Sequence, residues 1–217
     1  MRAKRNVFVV DSDKAQCNAL STLLASSGCM VRTYPSAEAF LGDTESAPEG
    51  IMLLEQRLMG MSGLELQHNL ARRGTDLPII FLSRVKDVRV TVKAMKAGAI
   101  DFLAKPFSND ELFASVNEAF THADANKKNN LWIADLRLCY DRLTDREREI
   151  IQHVAGGMSS REVGERLGLS PRTVEVHRRS IMKKMEAKSL VDLARKYAIC
   201  TDIGSFRLRG GRTIVKH

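Results

Sequence analysis

The chain has 217 residues, of which 44% are hydrophobic, and a formal net charge of +8. This composition supports packed cores rather than disorder, and the length allows one large domain or two small ones. The apolar runs are far shorter than the roughly 20 residues that a helix needs to cross a bilayer, so we expect no membrane span. The first apolar run also reaches Asp11 too soon for a secretory signal, and we expect a cytoplasmic protein.

The cysteines and the charge distribution narrow the class further. Cys17, Cys29, Cys139 and Cys200 show no metal-ligand or redox-motif spacing, and we expect free thiols. Residues 1–139 carry 17 basic and 16 acidic side chains, whereas residues 140–217 carry 17 and 10. A basic second half favours DNA phosphates through counterion release, although a merely soluble basic surface explains the charge equally well.

The first 121 residues alternate short apolar runs with amphipathic stretches. Strands are predicted at residues 6–10, 30–34, 51–54, 78–82 and near 99–103, with helices around residues 14–27, 37–41, 63–72, 88–97 and 110–120. Such alternation predicts a parallel sheet that is covered by helices on both faces. Short loops and right-handed crossovers favour a doubly wound, five-stranded, flavodoxin-like sheet over residues 1–121.

Residues 122–141 are polar first and then periodic, and they predict a linker helix. Leu131, Trp132, Leu136 and Leu138 could share one apolar stripe on this helix, which would form either a dimer seam or a contact with a neighbouring domain. At the other end of the chain, residues 201–217 form a basic tail. That tail is expected either to be disordered or to add positive charge to a DNA contact.

Residues 142–200 contain an ordered series of helix starts. Four pairs have the spacing of a helix cap: Thr144 with Glu147, Ser159 with Glu162, Ser170 with Pro171, and Ser189 with Asp192. Apolar residues recur at helical spacing and are expected to form the core: Ile150, Ile151, Val154, Val163, Leu167, Leu169, Val174, Ile181, Met185, Leu190 and Leu193. This predicts an all-α domain of four helices, of which the third is basic enough to enter the major groove of DNA.

Polar residues follow the predicted strands of the first domain. Ligands of a parallel sheet gather where the carboxyl ends of its strands meet. The residues found there are Asp11, Ser12 and Asp13 after the first strand, Glu55 after the third, Ser83 and Arg84 after the fourth, and Lys105 with Pro106 after the fifth. Each alone fits a solvated loop, but together they predict one polar site.

The pieces VFVVDSD, MSGLEL, IIFLS and GAIDFLAKPF make residues 5–121 resemble the receiver domain of bacterial response regulators. The resemblance places Glu55 at the position of the phosphorylated aspartate. It also implies the following roles: an acidic Mg²⁺-binding pair at Asp11 and Ser12, phosphoryl-binding side chains at Ser83 and Lys105, an aromatic switch residue at Phe102, and a cis bond between Lys105 and Pro106.

Three residues depart from the family pattern. Glu55 replaces the aspartate, Ser12 replaces one acid of the pair, and Arg84 stands where a small residue is usual. The lost carboxylate weakens any Mg²⁺ site, so we expect no metal cofactor beyond a weak site at Asp11 and Glu55. Arg84 is predicted to reach over the pocket and pair with Glu55.

Two interpretations of this receiver stay open. Glu55 could be a fixed, partial mimic of the phosphorylated state, since it supplies one negative charge where a phosphoryl group adds roughly −1.5 to −2. The site could instead be decayed, with the domain kept as a dimerisation scaffold. Conventional phosphorylation by a sensor histidine kinase is the alternative to both. Metal-assisted phosphate hydrolysis at Asp11 and Glu55 lacks ligands, and we expect no enzymatic activity.

The stretch LTDREREIIQHVAGGMSSREVGERLGLSPRTVEVHRRSIMKKM makes residues 139–200 resemble the LuxR-type helix-turn-helix of the NarL/FixJ regulators. The resemblance implies that Glu175, Val176 and Arg179 face base edges, where they suit cytosine, a thymine methyl and guanine. Phosphate contacts are expected from Arg172, Thr173, Arg178, Lys183 and Lys184, although a solvated surface charge stays open for Lys184.

The fourth predicted helix exposes Val191 and Ala194, and the resemblance implies that it pairs two DNA-bound copies. Their half-sites would lie roughly 10 base pairs apart. We therefore predict a sequence-specific DNA-binding transcription regulator that binds double-stranded DNA as a homodimer. The alternative is an interaction protein that binds another regulator and has little DNA binding of its own, and the basic third helix argues against it.

Overall fold

The structure is a computed structural model that describes the backbone of residues 5–43, 48–84 and 87–210, with side chains described up to residue 201. Strands and helices alternate at first: β1 (Arg5–Val10), α1 (Lys14–Ser26), β2 (Cys29–Tyr34), α2 (Ala37–Asp43), β3 (Ile51–Leu54), α3 (Gly63–Arg72), β4 (Ile79–Ser83), α4 (Val88–Lys96) and β5 (Asp101–Ala104). The rest is helical: α5 (Asn109–Asp141), α6 (Asp145–Ala155), α7 (Ser160–Leu167), α8 (Pro171–Lys184) and α9 (Leu190–Gly210).

The five strands form one parallel sheet in the order β2-β1-β3-β4-β5. The central strands β3 and β4 are buried along their whole length because helices cover both faces of the sheet. Alternate residues of β1 divide between two hydrophobic clusters. Val7 and Val9 pack with α1 and α5, whereas Phe8 and Val10 pack with α2, α3 and α4. The doubly wound five-stranded sheet predicted from the sequence is confirmed.

The strand register brings the polar residues to one edge of the sheet. Val10 of β1 pairs with Leu54 of β3, so Asp11 and Glu55 follow side by side. The backbone ladder also continues past the strand ends, where the Glu55 amide donates to the Val10 carbonyl at 2.9 Å. On the other side, the Lys105 amide donates to the Ser83 carbonyl at 2.9 Å. These backbone hydrogen bonds fix the main-chain positions from which the side chains of Glu55 and Lys105 extend.

Helix α5 is a single helix where the sequence predicted a receiver helix at 110–120 and a separate linker helix at 122–141. No glycine or proline interrupts residues 109–141, so nothing local ends the helix between the two predicted segments. The chain forms two compact units, Met1–Lys127 and Lys128–His217, and the boundary between them lies within α5. The predicted domains covered residues 1–121 and 142–200, so both left out residues 122–141 of α5. The structure divides these residues between its two units.

The core of the second unit includes a residue that the sequence assigned to the linker. Leu136 of α5 is buried among the side chains of α6, α7 and α8, which explains one part of the predicted apolar stripe as a contact within this unit. Leu131 and Leu138 are 58% and 59% exposed, so a dimer seam there stays a prediction. The prediction that Leu190 belongs to the core is wrong. Its side chain is 45% exposed because it is the first residue of α9.

The predicted basic tail begins inside a helix. Helix α9 runs on to Gly210, so the backbone of residues 201–210 is helical where the sequence predicted a tail after residue 200. Residues 211–217 and the side chains of residues 202–210 lie outside the described part of the chain. The expected role of the tail in DNA binding therefore stays a prediction.

Candidate functional site

A buried ion triad occupies the carboxyl edge of the sheet. Lys105 Nζ donates to Asp11 Oδ2 at 2.8 Å and to Glu55 Oε2 at 2.9 Å. The Lys105 side chain is only 10% exposed, and Asp11 and Glu55 are buried beside it. Burial lowers the pKa of Lys105, but the two carboxylates outweigh it and hold that pKa above its usual value.

The second oxygen of the Glu55 carboxylate is also engaged. Glu55 Oε1 accepts a hydrogen bond from Ser83 Oγ at 2.7 Å and another from the Arg57 amide at 3.0 Å. Burial raises the pKa of Glu55, but the hydrogen bonds from Lys105, the Arg57 amide and Ser83 outweigh it and keep the pKa below its usual value. Glu55 is therefore an ionised carboxylate with donors on both oxygens.

The predicted pairing of Arg84 with Glu55 is wrong. The Arg84 side chain is 79% exposed, and its nearest acidic partner is Asp13, at 3.9 Å from Nη2 to Oδ2. Lys105 takes the expected place beside Glu55, since its Nζ reaches the pocket from the end of β5, past β4. Arg84 instead lines an open cavity of about 500 Å³ at the mouth of the site, together with Gln16, Lys105 and the residues that follow Lys105.

The carboxylate oxygens that would have to bind Mg²⁺ already accept hydrogen bonds from other groups of the protein. Asp11 Oδ1 accepts from the Asp13 amide at 2.9 Å, and Asp11 Oδ2 accepts from Lys105. Ser12 is exposed, and Asp13 caps α1 by accepting from the Ala15 amide. Among the described residues, no group of three or more histidine, cysteine, aspartate or glutamate side chains could hold a metal. Because Mg²⁺ needs several free oxygens in an octahedral array, these residues do not fit it as arranged.

One further expectation for the receiver is confirmed, and the switch role of Phe102 stays a prediction. The Lys105–Pro106 peptide bond is cis, as predicted. Phe102, the expected switch residue, is half-buried and packs against the cluster that contains Phe81. The two rings are stacked, with centroids 5.7 Å apart and planes inclined by 19°.

The helix caps of the second unit follow the predicted pairs with one difference. Thr144 with Glu147 and Ser159 with Glu162 form complete capping boxes at the starts of α6 and α7. Ser170 Oγ accepts from the Thr173 amide at the start of α8, where Pro171 is the first helical residue. At α9 the box is incomplete: Ser189 Oγ accepts from the Asp192 amide, but the shorter Asp192 side chain bonds the amide of Lys188 instead.

The turn between α7 and α8 depends on two glycines. Gly168 ends α7 in the left-handed region at φ 67°, which glycine adopts without the steric cost of a Cβ. Gly164 lies where the turn crosses back over α7, and a Cβ placed there would meet the Leu169 carbonyl oxygen at 2.6 Å. The close approach of backbone to backbone sets the angle between the two helices and presents one face of α8 to solvent.

The exposed face of α8 carries the predicted DNA contacts. Val174 and Ile181 are buried on the opposite face, which anchors the helix to the core. Five predicted contact residues are exposed on the outer face: Arg172, Thr173, Glu175, Arg179 and Lys183. Val176 lies among them and is 58% exposed.

Three of the expected phosphate contacts have partners within the protein. The Thr173 hydroxyl shares a hydrogen bond of 2.8 Å with Ser170 Oγ. Arg178 Nη1 donates to Ser160 Oγ at the start of α7 at 3.0 Å, so this guanidinium lies beside the α7 N-terminus. Lys184 Nζ donates to the buried Glu147 carboxylate at 2.6 Å, which contradicts its interpretation as a solvated charge. The sequence identified Glu147 only as a capping residue. Its contacts with α8 span more than 30 residues of chain, and no local spacing could reveal them.

Comparisons with known proteins agree with both parts of this description. Residues 7–117 match the response regulator receiver domain, and residues 141–197 match the bacterial regulatory proteins of the luxR family. The chain belongs to the NarL/FixJ-type response regulators. It is accordingly a DNA-binding transcription regulator with a receiver and a LuxR-type helix-turn-helix, as the sequence predicted.

Curated relatives and a solved structure extend over most of this regulator. It is 40% identical to the response regulator protein TmoT of Ectopseudomonas mendocina over 189 residues, which cover 87% of this chain and 86% of TmoT. It is also 40% identical to the transcriptional regulatory protein TdiR of Thauera aromatica over 209 residues, covering 94% and 92%. The structure of the response regulator StyR aligns with a TM-score of 0.73 at 35% identity, covering 90% of this chain and 99% of StyR.

Among the described residues of the regulator, no helix is both long enough and apolar enough to span a membrane.

Proposed function

We propose that this regulator binds specific DNA sequences without control by ordinary aspartyl phosphorylation, because Glu55 holds the receiver in one fixed state. One observation carries the proposal: the Glu55 carboxylate bonds both Ser83, at 2.7 Å, and Lys105, at 2.9 Å. In the receiver family, these two positions bind the phosphoryl group. The extra methylene of glutamate places an unmodified carboxylate within reach of both.

The charge and the geometry of the site support the proposal further. Glu55 supplies about one negative charge where a phosphoryl group would supply roughly −1.5 to −2, so the mimicry is partial. An acyl phosphate on Glu55 would have to displace Lys105 and Ser83, which already bond to both carboxylate oxygens. The Asp11 carboxylate, the remaining candidate for Mg²⁺ binding, is itself bonded to Lys105 at 2.8 Å.

Intact-mass measurement after incubation with acetyl phosphate and Mg²⁺ tests phosphorylation independence. We expect no stable phosphoryl adduct on the full-length protein. A receiver from a relative that has the aspartate serves as the positive control under the same conditions. A stable adduct that maps to residues 1–127 would contradict the proposal and favour conventional control by a sensor histidine kinase.

A second measurement separates a functional mimic from a decayed site that serves only as a scaffold. Glu55→Gln keeps the shape and removes the charge, so the mimic interpretation predicts a several-fold loss of DNA affinity in the full-length protein. The scaffold interpretation predicts unchanged affinity. Arg84→Gln is the matched control, because Arg84 also borders the site but is exposed and does not contact Glu55.

For the DNA-binding unit, we propose that Glu175, Val176 and Arg179 read base edges, and that Arg172, Thr173, Arg178 and Lys183 hold phosphates. The exposed positions on α8 of Arg172, Thr173, Glu175, Val176, Arg179 and Lys183 support the assignment. The cation of Arg178 beside the N-terminus of α7 suits one phosphate.

We further propose that two copies pair through the start of α9 when they bind DNA. Val191 is 81% exposed and Leu190 is 45% exposed on this helix, and two-fold pairing would bury both. Half-sites roughly 10 base pairs apart would follow from that symmetry. The cytoplasm, where the chromosome lies, is the proposed location.

A further inference from the structure

The Glu147 carboxylate of α6 gathers four donors although it is only 3% exposed. The amide and the hydroxyl of Thr144 donate to Oε2 at 2.8 and 3.1 Å, and these contacts complete the cap of its own helix. The other two donors come from α8. Ser180 Oγ donates to Oε1 at 2.6 Å, and Lys184 Nζ donates to Oε2 at 2.6 Å.

Ser180 and Lys184 are four residues apart, so they lie one above the other along one side of α8. That side lies between the buried face, which contains Val174 and Ile181, and the outer face, where Val176 is one turn before Ser180. Two contacts along one line fix the rotation of a helix about its own axis, which hydrophobic packing alone does not fix as sharply. A rotation of about 10° would move a side chain at the helix surface by about 1 Å, given a helix diameter of 10–12 Å.

A displacement of that size matters at a base edge. Hydrogen bonds form within a donor–acceptor range of roughly half an ångström, so a 1 Å shift breaks the pairing of a side chain with its base. Phosphate contacts are less demanding, because charge attraction varies slowly with distance. The rotation of α8 therefore affects sequence preference more than general affinity for DNA.

We infer that Glu147 is a positioning residue for DNA reading, which sets the rotation of α8 by holding Ser180 and Lys184. In this role Lys184 is a structural partner of Glu147 and makes no phosphate contact. The effect on sequence preference rests on the proposed base-reading face of α8. The inference that Lys184 makes no phosphate contact requires only that the protein binds DNA, which the family establishes.

The protonation state of the Glu147 carboxylate agrees with this role. Burial raises its pKa, but the hydrogen bonds from Lys184, Ser180 and Thr144 outweigh it and lower the pKa to about 2. Glu147 therefore stays ionised wherever the protein is folded near neutral pH. The Lys184 side chain is 31% exposed, so its ammonium is partly screened but still has a buried anion at 2.6 Å.

Neighbouring lysines give a matched pair for the first test. Lys183 is exposed and Lys184 is bonded to Glu147, so the same substitution can be made at each position. The affinity of full-length Lys183→Met and Lys184→Met for a random-sequence duplex is measured by fluorescence anisotropy across a range of KCl concentrations. We expect Lys183→Met to reduce the salt slope by about 0.9, the value for one phosphate contact, and Lys184→Met to leave it unchanged. An equal reduction for both would overturn the structural role of Lys184.

The second test measures sequence preference. A duplex selected from a randomised library by the wild-type protein is compared with a scrambled duplex of the same composition. We expect Ser180→Ala and Glu147→Gln to lower the preference for the selected duplex roughly three- to tenfold, the scale of one lost hydrogen bond. Affinity for the scrambled duplex should stay within about twofold, since the phosphate contacts tolerate a small rotation.

Thermal unfolding of each variant measures the fraction that is folded at the assay temperature. If Glu147→Gln unfolds the domain, Ser180→Ala still allows the test, because it removes only one hydroxyl group. Unchanged preference in folded Ser180→Ala and Glu147→Gln would show that the network only stabilises the domain, and the inference would be wrong. If the wild-type protein shows no preference for any selected duplex, the proposed base reading fails. The salt slopes of the two lysine variants still decide whether Lys184 contacts phosphate.

Discussion

Lys105 Nζ lies between two carboxylates, 2.9 Å from Glu55 Oε2 and 2.8 Å from Asp11 Oδ2. The ammonium joins the ends of two strands that are not neighbours of its own, and it carries the only positive charge within this triad. The polar edge of the sheet is thereby closed by the protein's own groups. The stability of the receiver should depend on this one cation.

Lys105→Met should destabilise the receiver strongly at pH 7. The change leaves Asp11 and Glu55 buried and facing each other without a cation, and breaking a buried ion pair in this way costs about 3–5 kcal/mol. Urea unfolding of the full-length protein measures the loss. The loss should shrink as the pH falls and Glu55 binds a proton. Arg84→Met is the control, since an exposed side chain should change the free energy of unfolding by no more than about 0.5 kcal/mol.

Arg179→Ala and Lys183→Ala should affect DNA binding in different ways. Loss of Arg179 should relax the preference at one base position at a cost of about 1–3 kcal/mol on the preferred sequence. Loss of Lys183 should weaken all sequences alike and reduce the salt slope. Binding is measured on selected and scrambled duplexes over several salt concentrations. Equal losses on both duplexes for both variants would refute the division between base and phosphate contacts.

Gly164→Ala should destabilise the helix-turn-helix, because its new methyl group would meet the Leu169 carbonyl oxygen at 2.6 Å. Overpacking of this kind typically costs about 1–3 kcal/mol and forces α7 and α8 apart. Differential scanning calorimetry follows the stability and a gel shift follows DNA binding. Gly156→Ala is the control, since the nearest atom to its Cβ would be at 3.4 Å and its φ of −77° suits alanine. A Gly164→Ala protein as stable as that control would argue against the close contact.

The stability of the DNA-binding unit should fall in acid because of Glu147. Its pKa is lowered from 4.5 to about 2 on folding, so the stabilisation is complete above the unfolded pKa and is lost as the pH falls from about 4.5 towards 2. The shift corresponds to at most about 3 kcal/mol at neutral pH. Urea unfolding at a series of pH values measures it. Glu147→Gln should flatten this dependence, and an unchanged acid profile in that variant would assign the effect to other carboxylates.

Val191→Glu should weaken the pairing of two copies on DNA. A charge at the centre of the proposed α9 contact would be buried against its symmetry mate, so like charges would face each other across the two-fold axis. Binding to a duplex with two half-sites should lose its cooperativity, while binding to a single half-site stays unchanged. Analytical ultracentrifugation of the complexes distinguishes one bound copy from two. Two bound copies with undiminished cooperativity would locate the dimer contact elsewhere.

The sequence predicted those features that depend on local pattern. Buried strands such as Ile51–Leu54 appear as apolar runs, and the hydroxyl–acid spacing of Thr144 with Glu147 indicates a helix start. The convergence of Asp11, Glu55 and Lys105 could also be predicted, because the carboxyl ends of parallel strands share one edge.

Features that depend on side-chain geometry across the fold could not be predicted in this way. Arg84 was expected beside Glu55, but whether Arg84 or Lys105 enters the pocket depends on the direction of each side chain from its strand end. Lys184 looks like its neighbour Lys183 in the sequence. Only the fold shows that a carboxylate from α6, 37 residues earlier in the chain, bonds one of them.

The backbone bond from the Glu55 amide to the Val10 carbonyl has a consequence for how this receiver could change over time. The sheet positions the main chain at residue 55 whatever side chain it bears, so aspartate could return there without any rearrangement of the scaffold. Ser83, Lys105 and Asp11 are all still in place around it. On the proposed function, a few substitutions at the rim of an intact sheet would separate a fixed regulator from a switchable one.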